Sequence, residues 1–274
     1  MPELPEVETV TQTLKNSFFI NSVITEIKIL KGRTFSNVES EEVNTKLKGQ
    51  RINDIIRKGK WIIIYLTNFV LICHLRLTGN FFLNQIDFPS IIFFLEGDKK
   101  VFFHDYRGFG RIYLQTLQEY KSSSPFKNIG IDAISEEFTK EYLFSFIKTI
   151  KRKLNIKTLL LDQTIVSGIG NIYASEILFA AKIHPLTLAK ALTDKDINNI
   201  VNYTKKILKE SINCGGTSII NWVSPTGKKG VYQEKLKVYN REGQPCFFCQ
   251  QRITSFKIGG RTTFVCQQCQ ILSN

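Results

Sequence analysis

No apolar run in the chain approaches the ~18 residues that a membrane-spanning helix needs, which excludes a helical membrane anchor. No basic n-region precedes an apolar h-region at the start, so a secretion signal is not read there. Internal repeats and low-complexity tracts are also missing, which excludes a repeat array. Cysteine is scarce over most of the chain: only Cys73 and Cys214 precede the last 29 residues. With no signal peptide, this points to a cytoplasmic protein without a disulfide framework. Acidic residues are outnumbered, 24 against 37 Lys and Arg, for a net charge of +13. That balance favours an anionic partner, most often nucleic acid. A lysine-rich composition produces the same excess by itself.

The 274 residues are 43% hydrophobic, enough for a substantial core in one large or two to three small domains. Residues 20–115 read as short β-branched and aromatic strands: Val23–Leu30, Trp61–Leu66, Val70–Leu75, Ile91–Leu95, Val101–His104 and Arg111–Leu114. Turns at Lys31-Gly32, Thr67-Asn68 and Glu96-Gly97-Asp98 separate them. Such spacing predicts an antiparallel sandwich or barrel. From Glu136 to Ile212 the period becomes helical. Tyr142, Phe146 and Ile150 form one apolar face, Ile177, Leu178 and Ala181 a second, and Ile197, Ile200, Val201, Ile207 and Leu208 a third. Residues 213–229 are rich in Gly, Ser and Thr and read as a loop. The predicted domains are 1–133, 134–222 and 223–274. They hold 17 basic and 14 acidic, 12 and 8, and 8 and 2 residues, respectively. The smallest span is the most basic, as a phosphate-contacting surface would be.

That basic tail carries Cys246-x2-Cys249 and Cys266-x2-Cys269, the spacing of a four-cysteine zinc site. Gly259-Gly260 between Ile253–Ile258 and Arg261–Val265 signals a hairpin joining the two knuckles. No His or carboxylate interrupts the set, so a structural zinc is expected; unliganded thiols are the alternative. Arg261 falls just past the hairpin tip, either a phosphate-binding guanidinium or a solvated surface arginine. Upstream, Ser167-Gly168-Ile169-Gly170-Asn171 leads into a helix, with Asn171 as its N-cap. Backbone N–H groups at such an end bind anions. A third glycine in dinucleotide-binding register is absent, and an ordinary helical corner accounts for the same residues.

The opening Met1-Pro2-Glu3-Leu4-Pro5-Glu6-Val7-Glu8 reads as a helix start, with Pro5 in the first turn and acids at the positive end of the dipole. Val7, Val10, Leu14 and Phe18 form its apolar face. If Met1 is removed, Pro2 becomes a terminal secondary amine. An α-amine titrates near ~8 rather than the ~10.4 of lysine, so it is a nucleophile near neutral pH. Attack on an aldehyde-type carbon gives a cationic iminium, an electron sink, with Glu3 beside it to move protons. An acid-capped helix with no chemistry is the simpler reading of these eight residues by themselves.

Together these pieces resemble the formamidopyrimidine-DNA glycosylase family of bifunctional base-excision repair enzymes. The resemblance is carried by residues 1–8, Arg57-Lys58-Gly59-Lys60, His74-Leu75-Arg76-Leu77-Thr78-Gly79 and Asp105-Tyr106-Arg107-Gly108-Phe109-Gly110. Gly168-Ile169-Gly170-Asn171-Ile172-Tyr173-Ala174-Ser175-Glu176 and the four cysteines complete it. It implies an α+β protein with an N-terminal β-sandwich, a helix–two-turns–helix domain and a C-terminal zinc finger. It implies that Pro2 attacks C1′ of a damaged nucleotide and that Glu3 is the proton donor. Lys60 and Arg261 would serve β- and δ-elimination or contact phosphate, and Glu6 would position the terminus and the everted nucleotide. His74, Lys157, Asn171 and Tyr173 would contact DNA, and Leu77, Arg107 and Phe109 would fill the space left by the flipped base. The 213–230 loop would close over that base.

The same resemblance implies one structural Zn2+ per chain, no redox or nucleotide cofactor, and a monomer acting on double-stranded DNA with oxidised bases or abasic sites. Two positions depart from the family pattern: Leu77 stands where Met is usual, and Gly108 where a second basic residue is usual. The Gly108 departure removes a charge and is expected to loosen the loop or weaken phosphate contact. Two rivals remain at this stage. An endonuclease VIII-like glycosylase for oxidised pyrimidines shares the fold. A non-catalytic zinc-containing DNA-binding protein shares the charge, Asn171, Arg261 and the cysteines, but has no use for Pro2 beside Glu3.

Overall fold

A computed structural model describes residues 1–31, 34–219 and 222–272. Gly32 of the expected Lys31-Gly32 turn, and Ile220 and Asn221 of the expected 213–229 loop, lie outside the described residues. The chain forms two compact units. One comprises residues 1–128 and 214–231, the other residues 129–213 and 232–274. The units are discontinuous in sequence: the segment 214–231 belongs with the N-terminal residues, unlike the three contiguous spans read above.

The first unit is a β-sandwich with a helix against it. Helix α1 spans Leu4–Lys15 and buries Leu4, Val7, Val10 and Leu14. It ends before Phe18, which is only half-buried; Phe19 fills the core instead. Helix α2, Ser40–Leu47, buries Val43 and Leu47. The strands are β1 (Ile24–Ile29), β2 (Ile52–Lys58), β3 (Trp61–Leu66), β4 (Phe69–His74), β5 (Gly79–Phe82), β6 (Ile91–Leu95), β7 (Lys100–Asp105) and β8 (Arg111–Thr116). One four-stranded sheet has the order β1-β6-β7-β5 and the other β2-β3-β4-β8. Every described pairing in them is antiparallel. Alternate residues of both sheets meet in one core, with Ile27, Phe93 and Phe103 from the first and Ile55, Ile64, Leu71 and Ile112 from the second. β2, β5 and α2 have no counterpart among the expected elements, because Asn53 and Asp54 interrupt the apolar alternation of β2 and β5 is four residues long.

The second unit holds α3 (Lys140–Thr149), α4 (Ile156–Leu161), α5 (Asn171–Ala180) and α6 (Asp194–Asn213). Two-residue strands β9 (Ile131–Asp132) and β10 (Val166–Ser167) pair in parallel. The hairpin β11 (Thr254–Ile258) and β12 (Arg261–Val265) closes the chain. The α6 face is buried as read from the sequence. α3 instead buries Leu143 and Ile147, with Tyr142 and Phe146 half-buried. The Tyr142 hydroxyl, which donates to the Ile165 carbonyl at 2.7 Å, holds that ring toward the surface. α5 is buried from Ile172 to Phe179. Among the described residues no helix is long and apolar enough to cross a membrane.

One buried carboxylate secures α5. Glu176 accepts the backbone N–H groups of Lys237, Val238 and Tyr239 at 2.8, 2.9 and 2.8 Å. Burial pushes its carboxyl above the ordinary range, and the three N–H groups oppose that shift. Removing the acceptor leaves three donors unpaired, each costing roughly 1–3 kcal/mol. Glu176→Ala is therefore expected to lower unfolding free energy by about 3 kcal/mol or more, and urea unfolding of the purified protein measures it. A loss below about 1 kcal/mol shows that solvent replaces the carboxylate.

Candidate active site and nucleic-acid interface

The N-terminus is built into the first unit. Pro2 and Glu3 are both buried. Glu3 is the N-cap of α1, and a reciprocal capping box links it to Glu6. Glu3 N–H donates to Glu6 Oε2 at 2.8 Å. Two of the four donors left over at a helix start are satisfied this way. The other Glu6 oxygen, Oε1, accepts the Thr217 N–H at 2.7 Å. The 214–231 segment comes close because Gly216, at φ +83°, carries no Cβ; one would stand 2.9 Å from Glu6 Oε1. Asn80 Nδ2 donates to the Val223 carbonyl at 2.8 Å, and Leu83 N–H donates to the Pro225 carbonyl at 3.0 Å. The expected loop is thus tied to Glu6 of α1 and, through Asn80 and Leu83, to β5 and the residue after it.

A second anchor holds α1 from the sheet. Arg57 Nε pairs with Glu8 Oε2 at 2.6 Å, with little exposure of either side chain. Arg57 Nη1 also donates to the Gly59 carbonyl at 3.0 Å. Gly59 has φ +58° in the β2–β3 turn. The guanidinium therefore fixes together the helix that carries the terminus and the turn that presents Lys60, which is buried. The Arg57–Glu8 pairing was not read from the sequence, where Glu8 stands out only as an acid of the first helix and Arg57 only as part of the Arg-Lys-Gly-Lys run.

His74 ends β4 opposite Trp61, and the two rings meet edge to face at 4.6 Å. Burial first, then the charges of Arg76 and Lys60, pushes its pKa down to about 3. The ring is neutral at pH 7. Its Nδ1 accepts the Arg76 N–H at 2.9 Å, so the single ring proton sits on Nε2, a donor suited to a phosphate oxygen.

Leu77, Arg107 and Phe109 all stand at the surface, with Leu77 43% and Phe109 45% exposed. Arg107 lies over the Phe109 ring at 5.1 Å. Gly108 between them adopts φ +69°, a left-handed conformation that a basic side chain would adopt only under strain. Arg111 Nη1 donates to the Gly108 and Gly110 carbonyls at 3.0 and 2.8 Å, so the turn is bonded rather than loose.

In the second unit, Gly170 and not Asn171 is the N-cap of α5. Asn171 is the first helical residue, and its Nδ2 donates to the Thr262 carbonyl at 2.9 Å. Its buried Oδ1 has no hydrogen-bond partner among the described residues. The misreading follows from chemistry: Asn is a better cap than Gly on propensity, but the hairpin carbonyl captures the amide. Lys157 and Tyr173 are wholly buried. Lys157 Nζ donates to Thr263 Oγ1 at 2.7 Å, and the Tyr173 hydroxyl bonds Ser211 Oγ at 2.6 Å. Both side chains are therefore bonded within the unit rather than facing solvent. Arg261 is exposed and pairs with Ile258 across Gly259-Gly260, both at positive φ, the geometry of a type I′ hairpin turn.

The four cysteine sulfurs lie within 4.8 Å of one another. Cys246 and Cys269 are 3.9 Å apart and Cys249 and Cys266 3.4 Å. A tetrahedron with metal–sulfur bonds of ~2.3 Å has edges near ~3.8 Å, whereas a disulfide requires ~2.05 Å. The donor set fits one tetrahedral thiophilic ion.

Comparison with known proteins agrees along the whole chain. The family model for the formamidopyrimidine-DNA glycosylase N-terminal domain matches residues 1–112, and that for the H2TH domain of the same glycosylases matches residues 129–222. The formamidopyrimidine-DNA glycosylase of Oceanobacillus iheyensis is 36% identical over 98% of each chain. The solved Thermus thermophilus protein superposes with a TM-score of 0.88 at 30% identity, covering 100% of both chains. The Lactococcus lactis protein is 32% identical. Its complex with Fapy-dG-containing DNA gives a TM-score of 0.90 over 98% of this chain and 100% of the other. Its complex with abasic-site DNA gives 0.89 over 98% and 99%. By sequence, by fold and by the ordered set of residues at its N-terminus and cysteine cluster, this chain belongs to the formamidopyrimidine-DNA glycosylase family of damaged-base DNA glycosylases.

Proposed function

We propose that this glycosylase excises oxidised purines from duplex DNA and cleaves the resulting abasic site through an iminium at Pro2. The observation that carries the reading is the N-terminus: Pro2 and Glu3 are buried side by side, with Glu3 locked as the cap of α1 by Glu6. A buried, bonded terminus serves a reaction that needs its nitrogen aimed. In the full chain Met1 acylates that nitrogen, so its removal is required to free the amine.

The amine attacks C1′ and the base departs with the glycosidic electron pair. Glu3 gives a proton to the ring oxygen as the sugar opens, leaving an iminium between Pro2 and C1′. The cation acidifies the C2′–H bond. Loss of that proton expels the 3′ phosphate, and a second elimination expels the 5′ phosphate. Hydrolysis of the iminium, water adding at C1′ and the carbon–nitrogen bond breaking, then frees the Pro2 amine. Lys60 and Arg261 act as phosphate contacts and proton donors in these eliminations. Neutral His74 donates Nε2–H to phosphate. Asn171 contributes its second amide hydrogen and the open end of α5, while Lys157 and Tyr173 steady the hairpin and α5 behind it. Leu77, Arg107 and Phe109 fill the void in the duplex. The cysteines hold one zinc, which stabilises the hairpin that presents Arg261. The DNA partner, the monomeric state and a cytoplasmic, nucleoid-associated location follow from the same reading.

Borohydride trapping on a duplex carrying 8-oxoguanine opposite cytosine is expected to give a covalent adduct. The adduct disappears in Pro2→Gly and when Met1 is retained. An adduct on thymine glycol alone transfers the assignment to the pyrimidine-specific glycosylases, and none on either leaves a binding protein.

Because the folded pKa of His74 lies below the unfolded value, the unfolded chain binds the extra proton between pH ~6.5 and about 3. His74 thus contributes stability above that window that is lost as pH falls through it. The expected result is a flatter stability–pH curve over this range for His74→Gln than for the wild type; parallel curves would contradict the neutral assignment. Metal analysis is expected to find one zinc per chain. Its removal by a chelator should unfold the 246–269 hairpin and weaken DNA binding at least tenfold, since structural zinc supplies folding free energy outright. Unchanged affinity and hairpin signals after complete metal loss would refute a structural role.

A further inference from the structure

We infer that Thr78 and Asp105 are positioning residues that lock the two turns bearing Leu77, Arg107 and Phe109 into one wedge, so that the three side chains enter the duplex together. The inference rests on the reading of this chain as a base-everting glycosylase.

The three side chains come from two separate loops. Leu77 lies between β4 and β5, and Arg107 and Phe109 lie between β7 and β8. Being exposed, Leu77 and Phe109 are not held by core packing. What holds their turns is a pair of polar side chains just beneath them. The Thr78 hydroxyl donates to Asp105 Oδ1 at 2.5 Å and accepts the Arg107 N–H at 3.1 Å. Asp105 Oδ2 accepts the Gly110 N–H at 2.5 Å, and the Asp105 N–H donates to Ser90 Oγ at 3.0 Å. The carboxylate is buried. It therefore grips its own turn at the far end, through Gly110, and the neighbouring turn through Thr78. Gly110 permits this: a Cβ there would stand 2.9 Å from Asp105 Oδ2.

The bonds reinforce one another. A hydroxyl that donates to a carboxylate makes a strong, short bond and becomes a better acceptor for the Arg107 N–H. On the other side, the Thr78 turn begins at His74, whose Nδ1 accepts the Arg76 N–H. Arg76 takes φ +56° to make that bond. The turn that carries the leucine thus starts on a phosphate-contacting ring and ends on the Asp105 clamp. Its depth in the duplex is referenced to the backbone phosphate.

This assigns Thr78 and Asp105 an effect on base eversion and none on the chemistry at Pro2. The test uses three substrates with the metal-loaded full-length protein. The first is an 8-oxoguanine:cytosine duplex. The second is a duplex with an abasic analogue opposite a fluorescent pyrimidine whose emission rises on unstacking. The third is a single-stranded oligonucleotide with an abasic site, which has no void to fill. Thr78→Val is expected to slow single-turnover excision on the duplex about 30-fold, within the range that a ~1 Å misplacement produces. It should also suppress the fluorescence rise and leave single-strand cleavage within about twofold of wild type. Thr78→Ser restores all three, and Asp105→Asn repeats the valine pattern. Equal losses on duplex and single strand show a merely structural role and overturn the inference, as do unchanged excision and fluorescence in Thr78→Val. A wild-type protein inactive on every substrate overturns the functional reading itself, an outcome distinct from either.

Discussion

The Glu6 carboxylate is the contact on which the arrangement of the first unit's N-terminus depends. One oxygen holds the Glu3 N–H at the head of α1, and the other holds the Thr217 N–H of a segment more than 200 residues away. Both bonds are buried, where an unpaired N–H or carboxylate oxygen is costly. The terminus and the 214–231 segment are therefore constrained by the same group. A chain end ordinarily frays. Here the end is a capped, buried helix start, anchored again by the Arg57–Glu8 pair.

The same device recurs in the second unit. Glu176 closes three backbone donors of residues 237–239, and Lys157 holds Thr263 two residues from Arg261. Asn171 holds the Thr262 carbonyl. In each case a polar side chain from a helix fixes the backbone or a hydroxyl of a segment distant in the chain, and buried groups hold positions that no sequence neighbour holds.

Much of the site was legible before the fold. Periodicity identified α1 and α6, and cysteine spacing identified the metal cluster because two knuckles and a hairpin have a fixed sequence length. The Gly259-Gly260 turn was equally plain, since a two-residue hairpin needs positive φ at both positions. Asn171 was misassigned as a cap because propensity cannot register a distant carbonyl. Lys157 and Tyr173 are wholly buried, a depth that a family motif, which carries residue identity alone, does not register. β2 and β5 were missed because polar insertions and short length hide alternation.

The amino-acid sequence by itself determined the elements with local causes: the acid-capped first helix, the alternating strands, the tetrathiol spacing and the surplus of positive charge. Tertiary structure alone decided which of those groups are exposed and which are buried struts. It placed Thr217 on Glu6, Arg57 between Glu8 and Gly59, and Asp105 under two turns at once. These pairings join residues far apart in the chain, so no local propensity encodes them. They arise only when burial forces each remaining donor and acceptor to find a partner.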